Sequence, residues 1–194
     1  MTLYLLRHAV AVPKDRWADD DVLRPLSGRG RWQTTELVRW FGARPPVQTI
    51  AASPTARCLA TVLPVAASCD LDIVARRELL PGRVSAAAEL VRHLLAGADS
   101  IVCTHGELIP ELLEALGATS DEAPPWPCAK GSVWALTRTE GGITADYLPP
   151  PRPLVASTHA TVVVHTPAEA QRRGYGRVVS ARDASPGSLS VAAS

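Results

Sequence analysis

Two histidines of this sequence each follow an apolar run that predicts a buried strand. Residues 2–6 form the first run and are followed by Arg7 and then His8. Residues 100–104 form the second run and are followed directly by His105. Ligands of open α/β sheets bind outside the carboxyl ends of the strands. We therefore expect both imidazoles at one edge of a parallel sheet, facing the same pocket.

A second arginine is placed in a similar way. Arg57 lies early in a helix predicted over residues 54–67, with Ser53 as its N-cap and Pro54 at its first position, just past a strand predicted over residues 47–52. Guanidinium groups bind phosphate oxygens bidentately, and a neutral imidazole can attack phosphorus and carry the phosphoryl group. Two arginines and two histidines that converge on one pocket predict a site for an anion such as phosphate.

Strands and helices alternate along the chain between these groups. Further predicted elements are helices over residues 28–41 after the N-cap Ser27, 85–95 and 109–116, strands over 71–74 and 100–104, and a hairpin of 132–137 with 143–148. Residues 10–24 and 77–82 are predicted as loops. This alternation predicts an α/β fold with a mainly parallel sheet.

Composition excludes several classes of protein. Twenty basic and nineteen acidic side chains give a net charge of +1, so no overall field favours a nucleic acid polymer or an acidic membrane as partner. The four cysteines form no C-x-x-C pair, which indicates small buried side chains in a reducing compartment. No apolar run has the length of a membrane helix and no signal peptide is evident, so we expect a cytoplasmic protein.

Three consecutive prolines at residues 149–151 predict the end of the compact domain. We expect one domain over residues 1–150. Residues 151–194, which end in a stretch rich in Gly, Ser and Ala, are expected to form a C-terminal tail that is partly disordered or loosely packed.

Three motifs in this order resemble the histidine phosphatase superfamily, also called the phosphoglycerate mutase-like fold. They are Arg7-His8-Ala9, with Ala where the family has Gly; Ser-Pro-x-x-Arg-x-x-x-Thr at residues 53–61; and Thr104-His105-Gly106. The resemblance covers residues 1–150 and implies a three-layer α/β/α sandwich. Residues 24–27 and the short chain resemble the small SixA-type phosphohistidine phosphatases. Residues 130–134 resemble the phosphatase-like domain that follows a Nudix domain in some MutT-type hydrolases.

The resemblance also implies roles for individual residues. His8 is the expected nucleophile, Arg7, Arg57 and His105 are expected to hold the phosphoryl oxygens, and Arg24 is an expected substrate-binding residue. The general acid stays open. Glu78 matches by context the proton donor of the mutase branch, with Glu107 and the acidic residues 19–21 as competing candidates. The resemblance implies no metal and no cofactor.

The resemblance therefore predicts a metal-independent phosphatase that hydrolyses a phosphomonoester or a phosphohistidine through a covalent phosphohistidine on His8. Its expected partner is a phosphorylated small molecule or a phosphohistidine protein. Two alternatives stay open: a phosphoryl mutase of the phosphoglycerate mutase type, and a non-catalytic domain that binds a phosphorylated ligand. Specificity is expected in the loops that follow the strands, at residues 10–26, 79–84 and 116–130.

Overall fold

One sheet organises the part of the chain that the structure, a computed structural model, describes, which is residues 1–122 and 124–152. The strands are β1 (Thr2–Arg7), β2 (Thr49–Ala52), β3 (Ile73–Ala75), β4 (Ser100–Thr104), β5 (Ala118–Thr119), β6 (Val133–Thr139) and β7 (Gly142–Leu148). The helices are α1 (Gly28–Gly42), α2 (Ala56–Cys69), α3 (Val84–Leu95) and α4 (Leu108–Leu116). The tail predicted over residues 151–194 lies outside the described residues from 153 onward.

The strand order across the sheet is β3-β2-β4-β1-β6-β7-β5. The neighbours β3–β2, β2–β4, β4–β1 and β7–β5 are parallel, whereas β6 runs antiparallel to both β1 and β7. The prediction of a mainly parallel sheet is therefore confirmed. One of the two antiparallel pairings, β6 with β7, is the predicted hairpin, and the other joins that hairpin to β1.

The pairing register of β1 and β4 determines where the two histidines emerge. Leu3 is level with Ser100 and Arg7 is level with Thr104, so both strands end at the same height. The amide of His8 also donates to the carbonyl of Thr104 at 3.0 Å. His8 and His105 are the next residues along each strand, and they consequently leave the sheet side by side.

Alternate residues of β1 face two separate core clusters. Leu3 and Leu5 pack with buried residues of α3 and α4, whereas Tyr4 and Leu6 pack with those of α1 and α2. Successive side chains of a strand point to opposite faces of the sheet, so each helix pair covers one face. The expected three-layer α/β/α sandwich is therefore confirmed.

The start of α2 differs from the prediction. The N-cap is Thr55, not Ser53, and the helix begins at Ala56. Ser53 does not cap the helix because its amide donates to the carbonyl of Cys103 at 2.9 Å and its hydroxyl contacts His105. The backbone therefore stays hydrogen-bonded to β4 for one residue beyond β2, and α2 begins at Ala56 and not at Pro54.

The remaining elements agree with the prediction more closely. Ser27 caps α1 as predicted, since its hydroxyl accepts from the amide of Gly30 at 3.2 Å. The predicted loops contain short 3₁₀ turns at Lys14–Arg16, Asp21–Leu23 and Arg77–Leu79. The two-residue strand β5 was not predicted, because it is too short to carry a periodic pattern.

The cysteines are all free, and two of the four, Cys58 and Cys103, are buried as predicted, whereas Cys69 and Cys128 are half-buried.

The helices within residues 1–122 and 124–152 were also compared with the length and hydropathy of a membrane span, and none of them reaches both.

Candidate active site

His8 is held in an orientation that leaves one ring nitrogen free. Its Nδ1 lies 2.8 Å from the carbonyl oxygen of Ala9, which can only accept a hydrogen bond. Nδ1 therefore carries the proton, and the lone pair of Nε2 is left available for attack on an electrophile. The side chain is only 6% exposed, so the ring is fixed by its surroundings.

The environment of His8 also keeps the ring neutral. Burial, together with the nearby His105, Arg57 and Arg7, lowers the pKa of His8 from 6.5 to about 3, although the hydrogen bond to Ala9 opposes the shift. A neutral imidazole is the nucleophilic form. His8 is thus ready to react at neutral pH without first losing a proton.

The low pKa of His8 predicts a specific pH dependence of stability. The unfolded chain binds a proton on this residue below about pH 6.5, whereas the folded protein does not until about pH 3. The contribution of His8 is therefore fully present above pH 6.5 and is lost as the pH falls towards 3. We expect the wild-type free energy of unfolding in urea to fall more steeply between pH 7.5 and 5 than that of His8→Gln. Parallel curves for the two proteins would contradict the assigned environment.

His105 lies beside His8, with their ring centroids 5.5 Å apart. Its Nε2 lies 2.9 Å from the hydroxyl of Ser53, and its Nδ1 lies 3.4 Å from Nη2 of Arg57. Because a guanidinium can only donate, Nδ1 is the acceptor and Nε2 carries the proton towards Ser53. The sequence had suggested only a helix-capping role for Ser53, whereas the structure shows that it orients the second histidine.

Both arginines have a buried Nε that no described residue pairs. Arg57 is 6% exposed, and the Nε atoms of Arg7 and Arg57 are buried without a hydrogen-bond partner among the described residues. Leaving a buried charged donor unpaired is costly, so such groups usually have a partner. Two of them beside two histidines form a cradle for an anion. We call Arg7, His8, Arg57 and His105 the phosphate cradle.

Arg7 is held in the cradle by contacts that the sequence does not reveal. Its Nη1 donates to the carbonyl of Cys128, and the backbone of Gly106 lies against its guanidinium. A Cβ atom at position 106 would come within 2.4 Å of Cζ of Arg7, so any side chain there would displace the guanidinium. The Gly that follows His105 in its motif therefore makes room for the first arginine.

Thr61 connects the first two motifs. Its hydroxyl accepts from the amide of Ala9 at 3.0 Å and donates to the carbonyl of Arg57 at 2.6 Å. The chain at Ala9 does not need glycine, since Asp70 is the one non-glycine residue with positive φ in the described part of the chain. The alanine in the glycine position is accordingly compatible with the fold.

Arg24 and Lys130 extend the positive charge beyond the cradle. Nε of Arg24 contacts Oδ1 of Asp21 at 2.7 Å, and its Nη1 donates to the carbonyl of Val12 at 2.7 Å. Lys130 precedes Gly131, whose amide donates to the carbonyls of both Arg7 and His8. Burial, with Arg7 and Arg24 nearby, lowers the pKa of Lys130. Sequence reasoning did not identify Lys130 as a site residue, because its proximity to Arg7 and Arg24 depends on tertiary contacts.

Glu78 contacts an arginine outside the phosphate cradle. Its carboxylate pairs with Nη2 of Arg76 at 2.6 Å, and that hydrogen bond lowers its pKa, which favours the ionised form. The side chain lines an open groove of about 430 Å³ together with Thr49 and Glu89, among other residues. Among the described residues, no hydrogen bond or ion pair joins Glu78 to the cradle. The role of Glu78 as proton donor stays a prediction.

The other candidates for the general acid differ from Glu78 in their contacts. Asp21 contacts Arg57 directly, with Oδ2 3.1 Å from Nη2, whereas Glu107 is exposed at the start of α4. Throughout residues 1–122 and 124–152, no group of three His, Cys, Asp or Glu side chains is arranged to hold a metal ion.

Comparison with known proteins gives one family and several similar folds. Residues 3–80 match the model of the histidine phosphatase superfamily, branch 1. The chain is 35% identical over 161 residues to a protein named 8-oxo-(d)GTP phosphatase from Mycolicibacterium smegmatis. The match covers 77% of this chain and 48% of that protein, so the chain spans about half the length of the curated relative.

Solved structures share the fold. The protein histidine phosphatase SixA complexed with tungstate aligns with a TM-score of 0.63 at 22% identity, covering 76% of this chain and 94% of that one. The mycobacterial glucosyl-3-phosphoglycerate phosphatase aligns with a TM-score of 0.57 at 18% identity, covering 75% of this chain and 96% of that one. At these identities the likeness establishes the α/β architecture.

Proposed function

We propose that this chain, whose residues 3–80 match the model of the histidine phosphatase superfamily, is a phosphatase that hydrolyses a phosphomonoester or a phosphohistidine through a covalent phosphohistidine on His8. The observation that carries the proposal is the phosphate cradle. Within residues 1–122 and 124–152, two buried guanidinium Nε atoms and Nε2 of a neutral His8 have no hydrogen-bond partner. A tetrahedral phosphoryl group supplies the oxygens that these donors lack.

The reaction divides into two displacements. Nε2 of His8 attacks phosphorus in line with the leaving group, the bond from phosphorus to the leaving oxygen or nitrogen breaks, and the phosphoryl group moves to His8. A water molecule then attacks the phosphohistidine, releasing inorganic phosphate and restoring the neutral ring. Arg7 and Arg57 stabilise the charge on the three equatorial oxygens in both steps, and His105 joins them when its Nε2–H turns from Ser53 to a phosphoryl oxygen.

The leaving group needs a proton in the first step. Glu78 is the candidate donor, and to act it must exchange Arg76 for the leaving group and carry a proton. Its contact with Arg76 favours substrates whose leaving groups need little protonation, such as a phosphoramidate. This supports a phosphohistidine as one substrate class.

A nucleotide is the second candidate substrate. It is favoured by the relative from Mycolicibacterium smegmatis, which is named for 8-oxo-(d)GTP and shares 35% identity over 161 residues. We propose that residues 1–150 carry the activity and that the partner is a phosphorylated small molecule or a phosphohistidine protein.

The test is a substrate panel on the purified chain. We expect release of inorganic phosphate from an aryl phosphate, in the presence of a chelator, and from at least one of a phosphohistidine protein and 8-oxo-dGTP. Brief reaction with a ³²P-labelled substrate should leave label on His8 that is labile in acid and stable in base. Phosphate binding without turnover on the whole panel would instead support a non-catalytic binding domain. Isomerisation of phosphoglycerates without net phosphate release would support a mutase.

A further inference from the structure

The acidic run after β1 contains one carboxylate that touches the phosphate cradle. Asp21 is the first residue of the 3₁₀ turn Asp21–Leu23, and both of its carboxylate oxygens contact arginines. Oδ2 lies 3.1 Å from Nη2 of Arg57, and Oδ1 lies 2.7 Å from Nε of Arg24. No local pattern in residues 19–21 distinguishes Asp21 from the neighbouring aspartates.

Asp21 holds one end of the Arg57 guanidinium and leaves the other end free. The carbonyl oxygen of Asp21 accepts from Nη1 of Arg57 at 2.7 Å, and the carboxylate contacts Nη2. Nε, at the opposite end, has no partner among the described residues. The backbone and the side chain of one residue thus grip the two terminal nitrogens, which fixes the rotation of the planar group.

The turn that carries Asp21 is itself held in place. The carboxylate of Asp20 caps it by accepting from the amide of Val22 at 3.0 Å, and the indole of Trp17 donates to the carbonyl of Asp20 at 3.0 Å. Arg24 is anchored to the carbonyl of Val12. The hydrogen bond from Arg24, with Arg57 nearby, lowers the pKa of Asp21, so the carboxylate is ionised at neutral pH.

We propose that Asp21 is a positioning residue for the reaction: its carbonyl and its carboxylate hold the two terminal nitrogens of Arg57 and so fix the orientation of the guanidinium beside His105. The inference rests on the proposed function, since it assumes that the cradle receives a phosphoryl group. Asp21 acts through Arg57 and does not itself contact the phosphoryl oxygens.

A different role for Asp21 makes the opposite prediction. A carboxylate on a phosphate-binding arginine could act as an internal competitor that substrate must displace. Removing its charge would then tighten phosphate binding, whereas removing a positioning contact weakens it. The sign of the change therefore distinguishes the two roles.

The experiment compares Asp21→Asn with Asp15→Asn in the full chain. Both variants lose one negative charge from the loop between β1 and α1, but Asp15 is exposed and makes no ion pair among the described residues. Binding of inorganic phosphate and of vanadate is measured by calorimetry, and kcat and KM are measured with an aryl phosphate. The Nε–H resonance of Arg57 is followed by NMR with ¹⁵N-labelled arginine.

We expect Asp21→Asn to weaken phosphate and vanadate binding about tenfold and to raise KM by a similar factor, as loss of one charged hydrogen bond implies. The affinity of Asp15→Asn for both ligands should stay within about twofold of the wild-type affinity, because loss of a distant, exposed charge has only a small effect. Phosphate should shift the Arg57 Nε–H resonance in the wild type and shift it less in Asp21→Asn. Unfolding temperatures should differ little, because Asp21 is 42% exposed and such ion pairs add little stability.

Equal or tighter anion binding by Asp21→Asn would overturn the positioning role. So would a similar loss in Asp15→Asn, because the effect would then come from charge alone. Because binding is measured directly, a wild-type protein that binds phosphate without hydrolysing any ester refutes the proposed function while Asp21 is still tested. A wild-type protein that binds neither anion overturns both proposals.

Discussion

Replacing His8 with alanine is expected to reduce aryl phosphate hydrolysis by about 10⁴-fold or more, because no other group in the cradle can accept the phosphoryl group. His105 is the one neighbouring imidazole in the cradle, and its Nε2 is directed at Ser53 and its Nδ1 at Arg57. The variant keeps both arginines, so it should still bind vanadate. Initial rates and trapping of labelled phosphoenzyme measure the effect.

The matched control is His93→Ala, which removes an exposed histidine from α3. It should hydrolyse the aryl phosphate at the wild-type rate. His8→Ala should retain the wild-type circular dichroism spectrum, so that lost activity is not lost folding. Hydrolysis by His8→Ala at the rate of the control would refute covalent catalysis on His8.

Replacing Gly30 with alanine is expected to lower the free energy of unfolding by about 3 kcal/mol, the size typical of overpacking against rigid backbone. A Cβ atom at this position would lie 2.1 Å from the carbonyl oxygen of Val10. That oxygen cannot move freely, because it accepts from both the amide and the hydroxyl of Ser27 at 2.9 Å. The amide of Val10 is also held by the side chain of Gln33.

The displacement should also reach the active site. Val10 follows Ala9, whose carbonyl accepts from the ring of His8, so pushing Val10 away from α1 should shift the imidazole of His8. Gly28→Ala is the control, since its Cβ would meet no atom closer than 3.9 Å in the same helical turn. Urea unfolding measures stability and aryl phosphate hydrolysis measures activity. A Gly30→Ala protein as stable as Gly28→Ala would contradict the close approach.

The sequence allowed prediction of the features that depend on local pattern. The buried run at residues 100–104 gave β4 with the observed bounds, and the two histidines after β1 and β4 lie together because a parallel register follows from the alternation of strands and helices. The motif from Ser53 to Thr61 located Arg57, whose side chain is part of the cradle. These predictions succeeded because each rests on residues that are near one another in the chain.

Features that depend on contacts between distant segments were not predictable in the same way. Asp21 reaches Arg57 across 36 residues, and Arg7 reaches the carbonyl of Cys128 across 121. Ser53 was expected to cap a helix because its local sequence favours that role. Its hydroxyl instead contacts His105, which follows β4. A tertiary contact replaced a local preference, which is common at functional sites.

The central place of β1 in the sheet bears on how substrate range could change. β1 is hydrogen-bonded on one side to β4 and on the other to β6, and His8, the proposed nucleophile, directly follows this doubly paired strand. Its amides should therefore be among the slowest to exchange with deuterated water. Lys130, by contrast, has an exposed side chain in the loop before β6. Mutations of exposed loop residues that do not hold an arginine of the phosphate cradle could alter which leaving group is accepted while leaving the groups that hold the phosphoryl group in place, so new specificities are accessible to this fold at little cost in stability.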